Sequence, residues 1–313
     1  MSLIEQAAKR LEQLRNAGVE LPDEPEITAQ IIQPAIETTV STGAVNPHVS
    51  AHRPSDTKIK TPSPSGPEVK LDLDAISASG LLVPNAARTQ LADEFRVIKR
   101  PLIANAMGRG TEPVANGNLI MVTSALPGEG KSFSAINLAI SIAMELDNTV
   151  MLVDADVARP SVLNMLGLPP SKGLLDVLQN NSVDISSVLL RTNIEKLSIL
   201  PSGTAHPRAT ELLASDTMIR LLDDMASRYS DRIIVFDSPP LLLTTESRVL
   251  ATHMGQVVIV VNAENTVQSA VKQAISTIEA CPVKMMLLNQ IRTAKTDGYG
   301  YGYGYGYGYG HEK

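Results

Sequence analysis

The chain has 313 residues and a formal net charge of −6, which gives no footing for a nucleic-acid surface, and its basic residues do not gather with aromatics. Its single cysteine, Cys281, cannot close an internal disulfide, which fits a reducing compartment and a small buried apolar residue. No apolar run approaches the ~20 residues of a membrane-crossing helix, and Glu5 with no apolar core behind it argues against a signal peptide, so the expectation is a cytoplasmic chain.

The first element predicted is a short amphipathic helix over Leu3–Asn16. Ile4, Ala7, Ala8, Leu11 and Leu14 recur at helical spacing, and Gly18 is a plausible stop. Residues 1–17 are read as a docking helix. From about Pro22 to Pro84 prolines and small polar residues dominate, as in Thr61-Pro62-Ser63-Pro64. Such a composition buries too little apolar surface to fold, so residues 18–85 are expected to be a disordered linker.

Residues 86–294 read as one domain. A charged helix is predicted over Arg88–Arg100. Apolar strands follow at Leu119–Thr123, Thr149–Val153, Leu197–Leu200, Arg232–Phe236, Gln256–Val261 and Lys284–Leu288, with a helix from Ser132 to about Glu145. Apolar runs without strict alternation, separated by helical stretches, imply a doubly wound α/β fold with a mostly parallel sheet covered on both faces. Ligands of such sheets lie at the carboxyl ends of the strands.

The glycine-rich segment Ala125-Leu-Pro-Gly-Glu-Gly-Lys131-Ser132 follows the first of these strands and opens a helix. Gly128 and Gly130 let backbone N–H groups turn toward phosphate oxygens, and Glu129 and Phe133 flank the cradle. Lys131 would neutralise β- and γ-phosphates, and Ser132 would ligate Mg²⁺. Ala125 stands where such P-loop sequences usually carry their first glycine. The second strand ends in Asp154-Ala-Asp156-Val-Ala-Arg159. Two carboxylates one residue apart suit a cation's water shell and proton acceptance, and Arg159 can offset charge on a transferred phosphoryl group. A later strand ends in Asp237-Ser-Pro-Pro240, where Asp237 fits a second metal-side carboxylate and the prolines turn the chain away.

The tail, residues 295–313, carries Tyr299, Tyr301, Tyr303, Tyr305, Tyr307 and Tyr309 in strict alternation with glycine. Glycine at every second place disfavours helix and weakens strand. The expectation is a flexible row of phenols, suited to an enzyme that takes one at a time. The five histidines show no metal spacing, and Cys281 before Pro282 is no nucleophile signature.

Together the Ala125–Ser132 loop, the Asp154/Asp156 pair with Arg159, the Asp237-Ser-Pro-Pro240 strand end and the tyrosine tail resemble bacterial tyrosine autokinases of the polysaccharide-export type, in the group associated with exosortase gene clusters. The resemblance spans roughly residues 88–313 and implies a P-loop NTPase fold of the kind shared with partitioning and cell-division ATPases. It implies ATP and Mg²⁺ as cofactors, metal contacts from Ser132, Asp154 and Asp237, adenine contact by Asn289 and tail tyrosines as phosphoacceptors. It also implies a homo-oligomeric ring built through Asp93, Glu94, Arg96, Lys99 and Arg100, a membrane-embedded chain-length-determinant activator that holds the chain at the inner membrane, and a cognate tyrosine phosphatase. Asp93 stands where relatives more often have Glu, and Ala158 where many have Arg.

Two other readings are carried beside this one. A partitioning-type ATPase shares the fold but places a lysine at the position of Leu126, and the tail has no role in its chemistry. A nucleotide-binding scaffold without kinase activity is disfavoured by the complete set Lys131, Ser132, Asp154 and Asp237.

Overall fold

The computed structural model describes residues 66–84, 89–110, 112–180, 182–229 and 231–291. All lie within the compact unit Lys60–Lys313. The predicted docking helix, residues 18–65 of the predicted linker and the tyrosine tail lie outside the described residues. Among the described residues no helix is long and apolar enough to cross a membrane.

Order starts earlier than the composition suggests. Strand β1 (Glu68–Val69) and helix α1 (Leu73–Ala78) fall within the expected linker, and Leu71, Ile76, Leu81 and Leu82 are buried. Asp72 caps α1 by accepting from the N–H groups of Asp74 and Ala75. Asn193 brackets Leu71, accepting from its N–H at 2.8 Å and donating to its carbonyl at 3.1 Å, while Leu82 N–H donates to Asn137 Oδ1 at 2.7 Å. Four apolar anchors and these side-chain bonds suffice to hold a segment that general composition marks as too polar to fold. The linker expectation is corrected for residues 66–84.

Helix α2 (Gln90–Ala106) follows, then β2 (Leu119–Ser124), α3 (Lys131–Ala143) and β3 (Thr149–Asp154). The chain continues through α4 (Val162–Met165), α5 (Leu174–Gln179), α6 (Ile185–Val188), β4 (Leu190–Thr192) and β5 (Leu197–Leu200). It closes with α7 (Ala209–Leu213), α8 (Asp216–Arg228), β6 (Arg232–Asp237), α9 (Glu246–Thr252), β7 (Gln256–Asn262), α10 (Gln268–Ser276) and β8 (Val283–Asn289). The sheet order is β1-β4-β5-β3-β6-β2-β7-β8. Every pairing is parallel except β4 with β5, so β1 and β4 run against the rest.

Residues of the central strands alternate between two apolar layers. Leu119, Met121, Ile234, Phe236, Met151 and Val153 face one layer, which holds residues of α5, α8, α9 and α10. Ile120, Val122, Ile233, Val235, Val150 and Leu152 face the other, with α2 and α3. Burial on both faces explains the unbroken apolar runs of β2, β3, β6 and β7, each large side chain contributing roughly 1.5–3 kcal/mol. The packing brings the carboxyl ends of β2, β3, β6, β7 and β8 side by side. There Val122 registers with Asp237, Asp154 with Asp237 and Asn262 with Asn289.

Candidate active site at the strand ends

The loop between β2 and α3 is shaped by its glycines. Gly128 and Gly130 have φ of +83° and +91°, a region that L side chains rarely adopt. A Cβ on Gly130 would also meet Asn289 Nδ2 at 2.1 Å. Ala125, the departure from the usual first glycine, is fully buried and is accommodated without a positive φ.

Lys131, the first residue of α3, points back into the site. Its Nζ lies 2.6 Å from Asp156 Oδ2 and 3.9 Å from Asp237 Oδ1, and donates to Ser132 Oγ at 3.4 Å. Burial alone would lower the lysine's pKa, but the charges of Asp237, Asp156 and Asp154 and the Asp156 bond outweigh it, and the net shift is upward. Ser132 Oγ accepts from Ser161 Oγ at 2.8 Å, a partner the sequence reading did not single out.

Asp154 Oδ2 accepts from Val162 N–H at 3.1 Å. Burial, reinforced by the charge of Asp237, raises its pKa to about 7 against the Val162 bond. Asp237 is fully buried; burial raises it to about 6 even though the Lys131 charge opposes the shift. Asp156 Oδ1 also accepts from Arg159 N–H at 3.2 Å, while Arg159 itself is exposed.

Asp154 Oδ1, both oxygens of Asp237 and Ser238 Oγ are buried without a hydrogen-bond partner. Orphaned oxygens of this kind are costly unless a ligand completes them, and a hard divalent cation takes oxygen donors. No three carboxylate, imidazole or thiol groups form a cage among the described residues. A cation held here would therefore combine Ser132, Asp154 and Asp237 with phosphate oxygens, as Mg²⁺ does in nucleotide sites. The residues present fit that group.

Other expected site residues are distributed as follows. Glu129 is buried, its carboxylate turned inward to the protein rather than outward to a ligand. Phe133 packs partly buried against the α2–α3 layer. Asn289 Nδ2 donates to Glu129 O at 2.9 Å, placing it against the phosphate loop. On α2, Glu94, Arg96 and Arg100 are exposed, and Arg96 pairs with Asp93 at 2.8 Å.

Lys99 departs from its expected subunit-contact role. It is 5% exposed and is committed to its own domain, donating to Ser141 O at 2.5 Å and pairing with Glu145 at 2.7 Å. A lysine stem is apolar enough to lie in a core when its ammonium finds partners at the end. Missed in the sequence were Ser161, Asn262, Thr266 and Gln290. Only their places just beyond strand ends, where site residues of parallel sheets gather, could have flagged them.

Residues 117–291 match the family described as AAA domain. The tyrosine-protein kinase YwqD of Bacillus subtilis is 32% identical over 182 residues, covering 58% of this chain and 75% of that protein. The tyrosine-protein kinase wzc of Salmonella typhimurium is 31% identical over 180 residues, covering 56% of this chain but 24% of that longer protein. The solved kinase domain of the Escherichia coli tyrosine kinase ETK superposes with a TM-score of 0.58 at 25% identity, covering 71% of this chain and 84% of the other. The chain therefore belongs to the AAA-domain family and to the bacterial tyrosine-protein kinases.

Proposed function

We propose that this kinase transfers the γ-phosphoryl group of ATP to its own C-terminal tyrosines, largely between subunits, and thereby regulates exopolysaccharide assembly. The observation that carries the reading is the convergence of Lys131, Asp154, Asp156 and Asp237 on one phosphate-binding loop, in a chain whose last residues alternate tyrosine with glycine. Near the last of the described residues, Asn289 and Gln290 at the end of β8 both bond loop carbonyls beside that site.

In the transfer, the phenol oxygen forms a bond to the γ-phosphorus as the bridge to the β-phosphate breaks. ADP departs, and the phenol proton passes to a carboxylate. Asp154 is assigned as that base on geometry: its Oδ1 is buried without a hydrogen-bond partner, whereas Asp156 is bonded to Lys131. Asp156 is assigned to Lys131, which it orients toward the loop. Lys131 balances phosphate charge, and Arg159 at the exposed rim serves the charge that develops in the transition state. A bound Mg²⁺ would supply Lewis-acid stabilisation of the phosphate oxygens. A membrane-embedded activator, a ring of subunits contacting through the exposed α2 residues Glu94, Arg96 and Arg100, and a phosphatase for the tail complete the proposal.

The test mixes two variants in Mg·ATP. One is Lys131→Met with its tail intact; the other has a native site and all six tail tyrosines changed to Phe. Phosphotyrosine on the Lys131→Met chain supports transfer between subunits. Its absence, with ATP still consumed by the other chain, discards transfer between subunits, and absence of phosphotyrosine on the tail of the native chain as well discards the tail as acceptor.

A further inference from the structure

The loop built for an anion contains an acid. Glu129 is 3% exposed, and a buried carboxylate is unfavourable unless hydrogen bonds compensate it. Here they do. Oε2 accepts from the Leu126 N–H at the start of the loop at 2.6 Å. Oε1 accepts from the Thr266 hydroxyl and, at 3.4 Å, from the Asn262 N–H. Asn262 ends β7, and Thr266 closes the turn after it, its N–H bonded to Asn262 O at 3.1 Å. The Glu129 carbonyl accepts from Asn289 Nδ2, and the Gly128 carbonyl accepts from Gln290 Nε2 at 3.3 Å. A side-chain bond between Asn262 and Gln290 joins the two supporting strand ends.

We propose that Glu129 is a positioning residue whose buried carboxylate latches the phosphate loop to the turn after β7. The inference rests on the reading of this loop as a nucleotide site. Gly128 and Gly130 supply the bend but also the largest backbone freedom. Charge-assisted bonds from a buried carboxylate are the stronger kind, and these span the loop from Leu126 to a second strand. The negative charge itself works against phosphate binding, so Glu129 acts through geometry. The Glu129 backbone carbonyl, which accepts from Asn289 Nδ2, adds a separate tie between the loop and the end of β8.

The experiment measures the Kd of ADP with Mg²⁺ by calorimetry, and hydrogen exchange across Leu126–Gly130, on the full chain. Glu129→Ala is expected to weaken ADP binding about ten-fold or more and to speed loop exchange, because the Leu126 N–H loses its acceptor and the loop its tie to the turn after β7. Glu129→Gln keeps an acceptor for Leu126 and can donate to the Thr266 oxygen, so its Kd stays within about three-fold of native. Thr266→Val, a residue outside the loop, weakens binding less than Glu129→Ala and adds little to it in the double variant. An unchanged Kd in Glu129→Ala overturns the latch, as does equal weakening by Gln and Ala. A lowered melting temperature with loop exchange and Kd unmoved overturns it too. Failure of the native chain to bind ADP instead overturns the nucleotide-site reading itself.

Discussion

Lys131 Nζ lies 2.6 Å from Asp156 Oδ2 and 3.9 Å from Asp237 Oδ1, so one ammonium is shared unequally between the ends of β3 and β6. The unequal sharing separates the two carboxylates of the Asp154-Ala-Asp156 segment. Asp156 is bonded to the lysine, whereas Asp154 keeps one oxygen without a partner.

This separation predicts unequal losses on substitution. Asp154→Asn should lower tyrosine labelling by on the order of 10²–10⁴, the usual worth of a general base, while ADP still binds. Asp156→Asn leaves the lysine without its nearest carboxylate but with Asp237 in reach. It should cost about ten-fold, a loss of roughly 1.4 kcal/mol. Single-turnover labelling of the two purified variants decides the matter; a larger loss from Asp156→Asn reverses the assignment.

The same carboxylates predict how stability varies with pH. Asp154 is lifted to about 7 and Asp237 to about 6 from the ordinary aspartate value of 3.8. Both acids hold their protons more tightly folded than unfolded, so between these values the folded state binds more protons. Their contribution to stability is therefore greatest below about pH 4 and is lost as pH rises through 6 and 7. Thermal melts in chelator at pH 5 and pH 8 should show the native chain losing more on going to pH 8 than Asp154→Asn does. Mg²⁺ with ADP should recover stability most at pH 8, where the ionised carboxylates gain a partner.

Lys99 gives a prediction of a different kind. Its ammonium is buried between Ser141 O and Glu145, so Lys99→Ala strands a carbonyl and opens space beneath α2. Denaturant unfolding should show a loss of about 1–3 kcal/mol. Arg96→Ala and Arg100→Ala, on the exposed face, should leave stability within about 0.5 kcal/mol. If the ring reading holds, those two change the oligomer mass seen by light scattering.

Much of this was legible in the sequence for a physical reason. A strand buried on both faces must be apolar throughout, so β2, β3, β6 and β7 announced themselves, and a phosphate loop needs its glycines and lysine at fixed spacing. The segment around Leu71 and Ile76 was hidden because four apolar anchors are diluted by neighbouring prolines and polar residues. Strand β4 was hidden because three residues carry no periodicity. Lys99 read as surface because sequence shows a charge and not the carbonyl that receives it. Thr266 and Gln290 were invisible because their value lies in bonds across 137 and 162 residues of chain to Glu129 and Gly128.

Gln256 supplies the last test, and it concerns how α2 and the start of β2 are held to the sheet. The residue is fully buried at the first position of β7. Its Nε2 donates to Leu102 O at 3.0 Å and to Gly117 O at 2.6 Å, and its Oε1 accepts from Asn105 Nδ2 at 2.9 Å. One amide thus uses both donors and an acceptor to join the end of a helix, a loop and a strand. Gln256→Leu removes two donors from buried carbonyls and should destabilise by about 2–4 kcal/mol. Gln256→Glu should be worse, because a carboxylate can donate to neither carbonyl and adds a buried charge. Because α2 packs on α3 in the same layer, the loss should also appear as faster hydrogen exchange in α2 than in β8. Equal stability of Gln256→Leu and the native chain would show that these bonds are replaceable by packing alone.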